Sequence, residues 1–261
     1  MRLANALVAE VLTELRGLVE AGVTTGDLDA LAETRVRAAG AVPAFKGYQG
    51  YPATLCTSIN EQVVHGIPSD RALHDGDVLS IDLGVLLDGF YGDSAVTVPV
   101  GSVSEDVRSL LQVTEEALHR SIAKAQPGGY VSDLGHAVQK HVEAHGFTVV
   151  REFVGHGIGT SLHEEPQVPN YGDPGRGPRL SKGMVLAIEP MVNMGNAAVR
   201  VLADGWTAVT RDRSLSAHFE HTVAITMDGP LILSQPIRTS ASDKAEAVIR
   251  DTGQLVSADR G

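Results

Sequence analysis

The sequence sets an acid in the middle of an apolar strand, and later does so again. Residues 76–85 read GDVLSIDLGV and residues 183–192 read GMVLAIEPMV, sharing the pattern G-x-V-L-[S/A]-I-[D/E] at a spacing of 107 residues. A second pattern, V-x-H-G-I, occurs as VVHGI at 63–67 and VGHGI at 154–158, in the same order relative to the first. Two matches in one order predict an internal duplication. Burying an ionised carboxylate is expensive unless it is paired or holds a metal. The patterns that define the repeat therefore also single out Asp82 and Glu189.

Helix signals precede strand signals in both halves. Leu3, Leu7, Val11, Leu15 and Leu18 recur at helical spacing, predicting an amphipathic helix over 3–21. Thr24 with Asp27 forms a capping-box pattern that opens a second helix, which Gly40 ends. From about 53 to 100 the period changes to two, with glycine turns between. Ser104 then caps a helix through about 125, stopped by Pro127-Gly128-Gly129, and Ser132 caps another that ends near Gly146. A second strand region spans 147–234. The expectation is an α+β fold of two related halves, roughly 1–125 and 126–236, forming a single domain over 1–236 with a site between the halves. Residues 237–261 read as a polar tail, helical around 243–250.

Composition narrows the class. The 261 residues are 43% hydrophobic and 20% charged, an ordinary globular balance. The net charge is −11, with 32 acidic against 21 basic residues and no basic run that reads as a phosphate-binding stripe, so no direct nucleic-acid partner is expected. Part of the acidity fits an internal site that a cation neutralises. The one cysteine, Cys56, excludes an intramolecular disulfide and fits a reducing compartment. No segment approaches the roughly 18 apolar residues of a membrane span. Glu10 and Glu14 interrupt the apolar start as they would in a helix rather than a signal peptide. A cytoplasmic protein is expected.

Strand alternation gives the acids a setting. Leu79, Ile81, Leu83 and Val85 share one face; Val78, Ser80, Asp82 and Gly84 share the other, with small residues around the acid. The turn in LDGF (87–90) returns the chain as YGDSAVTV, which brings Asp93 within about a residue pair of Asp82. A lone strand acid reads as an edge residue facing water. Two on one face repel, so either one stays protonated or a divalent cation holds both; the apolar run favours the cation. Glu189 shares a face with Val185, Ala187 and Met191, and Glu220 opposes Phe219, His221, Val223 and Ile225. His156 sits in GHGIG, where glycines leave the imidazole open. Four carboxylates and an imidazole suit two borderline cations bridged by carboxylates and a water, although no two stand at the short spacing of a zinc-helix motif. Among the other histidines, His119, His136, His141 and His145 fall on predicted helices as solvated residues, His74 in a loop, and His221 in packing. His65 and His163 lie in Gly/Pro-framed loops that can aim a ring into a cleft.

Together the stretches GYPATLCTSINEQVVHGIP, LSIDLGVLLDGFYGDSA, VGHGIGTSLHEEPQVPNY, GMVLAIEPMVN, DGW and RSLSAHFEHTV, in order from about 47 to 226, resemble the type I, bacterial methionine aminopeptidases. The resemblance implies the pita-bread (creatinase/aminopeptidase) fold: two pseudo-symmetric αβ halves around a central curved antiparallel sheet with helices on its outer face. It implies that Asp82, Asp93, His156, Glu189 and Glu220 bind two divalent metals (cobalt, manganese, iron or zinc), with Asp82 and Glu220 doubly used and Asp93 and Glu220 bridging. It matches His65 and His163 to outer catalytic histidines, with Glu189 as the proton shuttle. It places Tyr48, Tyr51, Cys56, Leu162 and Trp206 in a methionine pocket, where Leu162 stands in place of a frequent aromatic residue. DGW by itself reads only as a turn followed by a packing aromatic. The implied activity is removal of the initiator methionine from nascent polypeptide N-termini, preferentially before a small second residue, by a cytoplasmic monomer in transient association with the ribosome. The alternatives are a proline-specific aminopeptidase or dipeptidase, whose usual N-terminal domain this chain has no room for, and an inactive relative that binds peptides or ribosomes.

Overall fold

The computed structural model describes residues 1–236; the tail expected at 237–261, with its helical stretch, lies outside the described residues. Helices α1 (Arg2–Leu18) and α2 (Thr25–Ala38) open the chain. They lead into strands β1 (Val42–Pro43), β2 (Leu55–Ile59) and β3 (Gln62–Val64) and the long hairpin of β4 (Val78–Leu87) and β5 (Phe90–Pro99). Helices α3 (Glu105–Ile122) and α4 (Val131–Ala144) begin the second run, which continues through β6 (Thr148–Val149), β7 (Gly155–Gly157), β8 (Glu164–Val168), β9 (Val185–Ile188) and β10 (Met191–Asn193). The last strands are β11 (Val199–Val201), β12 (Ala208–Thr210), β13 (Ser216–His218), β14 (His221–Thr226) and β15 (Gly229–Ile232). Helix-helix-sheet thus occurs twice, as the repeated patterns imply.

Local chemistry explains most boundaries. Thr24 Oγ1 accepts from the Asp27 amide at 3.1 Å and the Asp27 carboxylate accepts from the Thr24 amide at 3.4 Å, closing the capping box of α2. Ser104 caps α3 in the same way. Ser132 does not cap α4. That helix starts at Val131, two residues earlier than a Ser132 cap would set it; the Asp133 carboxylate accepts from the Tyr130 amide at 2.9 Å, and the Ser132 hydroxyl instead accepts from the Arg176 amide at 2.8 Å. His141 departs from expectation too: it is buried on the inner side of α4, with Nε2 3.2 Å from Glu116 on α3.

Each half closes its own core. In the first, Val8, Leu12 and Leu15 of α1 and Leu28, Ala32 and Val36 of α2 pack on Leu79, Ile81, Leu83 and Val85 of β4, the all-apolar face that alternation picks out. Each large aliphatic side chain buried there contributes about 1.5–3 kcal/mol. The second core joins Leu110, Val113, Leu134 and Val138 of α3 and α4 to Leu186, Ile188, Val223 and Ile225 of β9 and β14. The first sheet runs β1-β4-β2 with β5 on β4, and the largest runs β15-β14-β9-β7-β8, all pairs antiparallel. Hydrogen bonds along β5 tie the halves together. Thr222 Oγ1 donates to Asp93 O at 2.7 Å, Ser94 Oγ to Glu220 O at 2.6 Å, and Thr97 Oγ1 to His218 O at 2.6 Å; the Glu220 amide donates to Ala95 O at 2.9 Å. Across this seam a carboxylate of one half meets a carboxylate of the other. No helix among the described residues is long and apolar enough to cross a membrane.

Candidate active site

The β4–β5 hairpin turns on Asp88 and Gly89, both with positive φ (50° and 79°), the backbone that a two-residue type I′ turn requires. This fixes the register. Asp93 pairs with Gly84 and Asp82 with Ala95, so the acids lie on one face as diagonal rather than opposed neighbours. Gly84 is the small residue between them, and it also lets the Phe45 ring approach.

The two glutamates arrive differently from Asp82. Neither is inside a strand: Glu189 lies with Pro190 in the two-residue break between β9 and β10, and Glu220 with Phe219 in the break between β13 and β14. Pro190 has no amide to give a ladder, so the strand expected through 183–192 stops there. The breaks free both side chains to turn inward. His156 is the central residue of β7, and its Nδ1–H donates to Gly157 O at 2.8 Å. A carbonyl can only accept, so that bond fixes the tautomer and leaves the Nε2 lone pair facing the acids. Gly66 and Gly157, which follow His65 and His156 in the repeated V-x-H-G-I, each lie so close to the backbone of a neighbouring strand (Thr57 O of β2 and Glu165 O of β8) that no Cβ would fit. Close backbone approach is the reason for glycine after each histidine.

All twelve residues singled out from sequence line one cavity of about 390 Å³. Asp93, His156 and Glu220 are buried and offer ligand atoms within 4.8 Å of one another, and Nε2 of His156 is 3.5 Å from Oε1 of Glu189. Asp82 and Glu189 keep partial access to the cavity. The electrostatics are strained. Burial raises the Asp82 carboxyl to about 7. Burial pushes Asp93, Glu189 and Glu220 well up as well, and the neighbouring acids push each of them further. Asp82 Oδ1, Asp93 Oδ1 and Glu220 Oε1 are buried with no hydrogen-bond partner. Orphaned carboxylate oxygens that converge with an imidazole lone pair fit divalent cations, which would relieve the repulsion and fill the missing contacts.

Around this cluster stand two further histidines. His65 has φ of 62°, a left-handed backbone uncommon outside glycine, and its ring meets Phe153 and Trp206 edge-on at 5.3 and 6.3 Å. Burial and the nearby His163 push its pKa down to about 4. The His163 ring is tilted at 58° to the His156 ring with centroids 4.3 Å apart, and its Nδ1 is 2.8 Å from the Tyr48 hydroxyl. On the apolar side, Tyr51 and Trp206 meet edge to face at 5.1 Å, beside the buried Cys56 and Leu162. Burial and the nearby Asp82 raise the Cys56 thiol well above its ordinary range, so it is a wall and not a nucleophile. Asp204 holds Trp206 in place, since its carboxylate accepts from the Trp206 and Thr207 amides at 2.9 Å each.

Sequence reasoning missed Phe45 and Gln49, which complete the lining. Phe45 packs in the same buried cluster as Leu162 and supplies an aromatic wall from the opposite half. It also missed His218, which is 2% exposed, with Nε2 3.7 Å from Glu189. Alternation in SAHFEH puts residue 218 on the side of residue 220, but its place beside Glu189 comes only from the pairing of β10 with β13.

A model of metallopeptidase family M24 matches residues 1–227. Methionine aminopeptidase 1 of Bacillus subtilis is 52% identical over 235 residues, covering 90% of this chain and 95% of its own. The crystal structure of a methionine aminopeptidase from Thermotoga maritima superposes with a TM-score of 0.89 at 47% identity, covering 90% of this chain and 95% of that one. A prolidase from Pyrococcus horikoshii shares the fold alone, with a TM-score of 0.72 at 23% identity and 61% of its length covered. The fold is the pita-bread fold, the metallopeptidase family requires divalent metal, and the chain belongs to the methionine aminopeptidases of metallopeptidase family M24.

Proposed function

We propose that this chain removes the initiator methionine from nascent polypeptides, preferentially when the second residue is small. One observation carries the reading: four carboxylates that cannot all ionise unaided share a cavity with a histidine whose Nε2 lone pair faces them. Asp82, Asp93, His156, Glu189 and Glu220 would hold two divalent ions, of the cobalt, manganese, iron or zinc kind. Such ions supply a lowered water pKa and a polarised scissile carbonyl.

The chain's own groups do the rest. Glu189 takes the proton that the attacking water sheds and delivers it to the leaving amine. Nδ1 of His163 lies 2.8 Å from the Tyr48 hydroxyl; with that hydroxyl as the donor, the ring proton sits on Nε2, where it can donate to the developing oxyanion. His65 orients the peptide nitrogen at the scissile bond. The aromatic edges of Tyr51 and Trp206, with Cys56, Leu162 and Phe45, form an apolar slot suited to a thioether, because sulfur–aromatic contacts add modest attraction.

The deciding experiment chelates the protein, refills it with manganese, cobalt, iron or zinc, and offers Met-Ala-Ser and Ala-Pro peptides. Cleavage of the first and not the second is expected. The reverse would make it a proline-specific enzyme, and no turnover with any ion in a folded protein would make it a peptide-binding module. We further infer one catalytic domain over 1–236 with halves meeting near residue 125, a monomeric cytoplasmic protein, and transient ribosome association that brings nascent N-termini to the cavity.

A further inference from the structure

Glu189 is flanked on both carboxylate oxygens, and only one flank belongs to the five-ligand set. His156 Nε2 lies 3.5 Å from Oε1, and His218 Nε2 lies 3.7 Å from Oε2. Since His156 spends its ring proton on Gly157 O, it cannot donate to Glu189. His218 can. Its side chain is 2% exposed and its Nε2 is buried without a partner. A buried polar nitrogen left alone costs about 1–3 kcal/mol, and the acceptor in reach is Oε2, where closing about 0.7 Å would give an ordinary hydrogen bond.

The surroundings make His218 a rigid mount. Antiparallel pairing of β10 and β13 sets His218 opposite Met191, two residues past Glu189. Thr97 clamps the His218 backbone from β5, with Oγ1 donating to its carbonyl at 2.6 Å and accepting from its amide at 2.9 Å; the Ser80 hydroxyl backs Thr97 at 2.8 Å. Asn170 Nδ2 holds the Glu189 carbonyl at 3.0 Å. The Glu189 backbone is thus held by a group outside the metal set, and the His218 ring stands beside one of its carboxylate oxygens.

We propose that His218 is a positioning residue for Glu189: its Nε2–H holds Oε2, which fixes the carboxylate for metal ligation and proton transfer. The proposal rests on the reading of Glu189 as metal ligand and proton shuttle. Its test uses H218M, which keeps bulk but no donor, and H218Q, which restores one. Mn²⁺ affinity of the chelated protein is read by calorimetry, and kcat and KM on Met-Ala-Ser by steady-state assay. In H218M, Mn²⁺ affinity and kcat should fall roughly 10- to 100-fold while KM stays within about twofold, the scale of losing a partner behind a metal ligand. H218Q should recover most of both. In an E189Q background H218M should add little further loss, because the two residues act as one unit. Wild-type affinity and kcat in H218M, equal impairment of H218M and H218Q, or full additivity on E189Q would each overturn the proposal. If H218M does not fold, H218N replaces it: its amide falls short of Oε2, so parity with H218Q overturns the proposal. Wild-type behaviour of E189Q itself would instead overturn the parent reading of Glu189.

Discussion

Asp93 bears the cost of the site most directly. It is buried, one of its oxygens has no partner, and Glu220 and Asp82 both push its carboxyl up. An amide in its place keeps the shape and removes the repulsion, so function and stability should separate. In D93N, metal-induced stabilisation should be lost, while the metal-free protein should melt higher than metal-free wild type. Relief of about 1 kcal/mol corresponds to roughly 2–4 °C for a chain of this size, measurable by calorimetry in chelator. A metal-free Tm at or below that of wild type would mean that Asp93 is structural. Tyr48 offers a second test of this kind. If its hydroxyl sets the His163 tautomer, Y48F should lower kcat by roughly 10-fold and should cost nothing further in an H163A background. An effect of Y48F confined to KM would reduce Tyr48 to a pocket wall.

At the scale of elements, the β4–β5 hairpin does what its sequence announces. Asp88-Gly89 encodes the turn, the turn fixes the register, and the register places Asp82 and Asp93 on one face. Gly89 has φ of 79° and nothing near its missing Cβ, so Gly89→Ala should cost about 1 kcal/mol through backbone strain alone. Urea unfolding would show that loss with kcat unchanged; a fall in kcat at equal stability would mean that the register itself had moved. This hairpin was legible because pattern, turn and acids lie within 22 residues of one another. The second half was harder to read. Its strands β6 to β13 are two to five residues long, too short for alternation to declare itself, and Glu189 and Glu220 act from breaks between strands rather than within them. Phe45 and Gln49 lie in a segment whose backbone turns through Gly47, Gln49 and Gly50 at positive φ, and no period marks them as lining. His218 was hidden differently. Only the non-local pairing of β10 with β13 brings it to Glu189, and one strand's sequence carries no account of its partner.

For the molecule as a whole, two sets of buried groups pull the pH dependence of stability in opposite directions. His65, His156 and His221 are pushed down to about 4 and His218 to about 3, all chiefly by burial. Between those values and the ordinary 6.5 the unfolded chain binds more protons, so these residues make stability rise with pH. The raised carboxylates Asp82, Asp93, Glu189 and Glu220 do the reverse. Unfolded, they are ionised above about 4; folded without metal, Asp82 holds its proton up to about 7, and burial and mutual repulsion push the other three well up in the same direction. Over pH 4 to 6.5 the two sets oppose each other. Above about 7.5, a pH unit past the ordinary histidine value, the histidines are neutral in both states and their contribution no longer changes. The carboxylates then act unopposed, and each one still protonated removes about 1.4 kcal/mol of stability per pH unit. The chelated protein should therefore melt lower at pH 8.5 than at pH 7.5. Saturating Mn²⁺ should abolish that slope, because a metal holds the acids ionised in the fold and removes the proton difference. Melting curves at the two pH values, with chelator and with Mn²⁺, give four temperatures. Equal slopes in the two series would show that the acids carry no linked metal, and a chelated protein more stable at pH 8.5 would show that they are already ionised and paired.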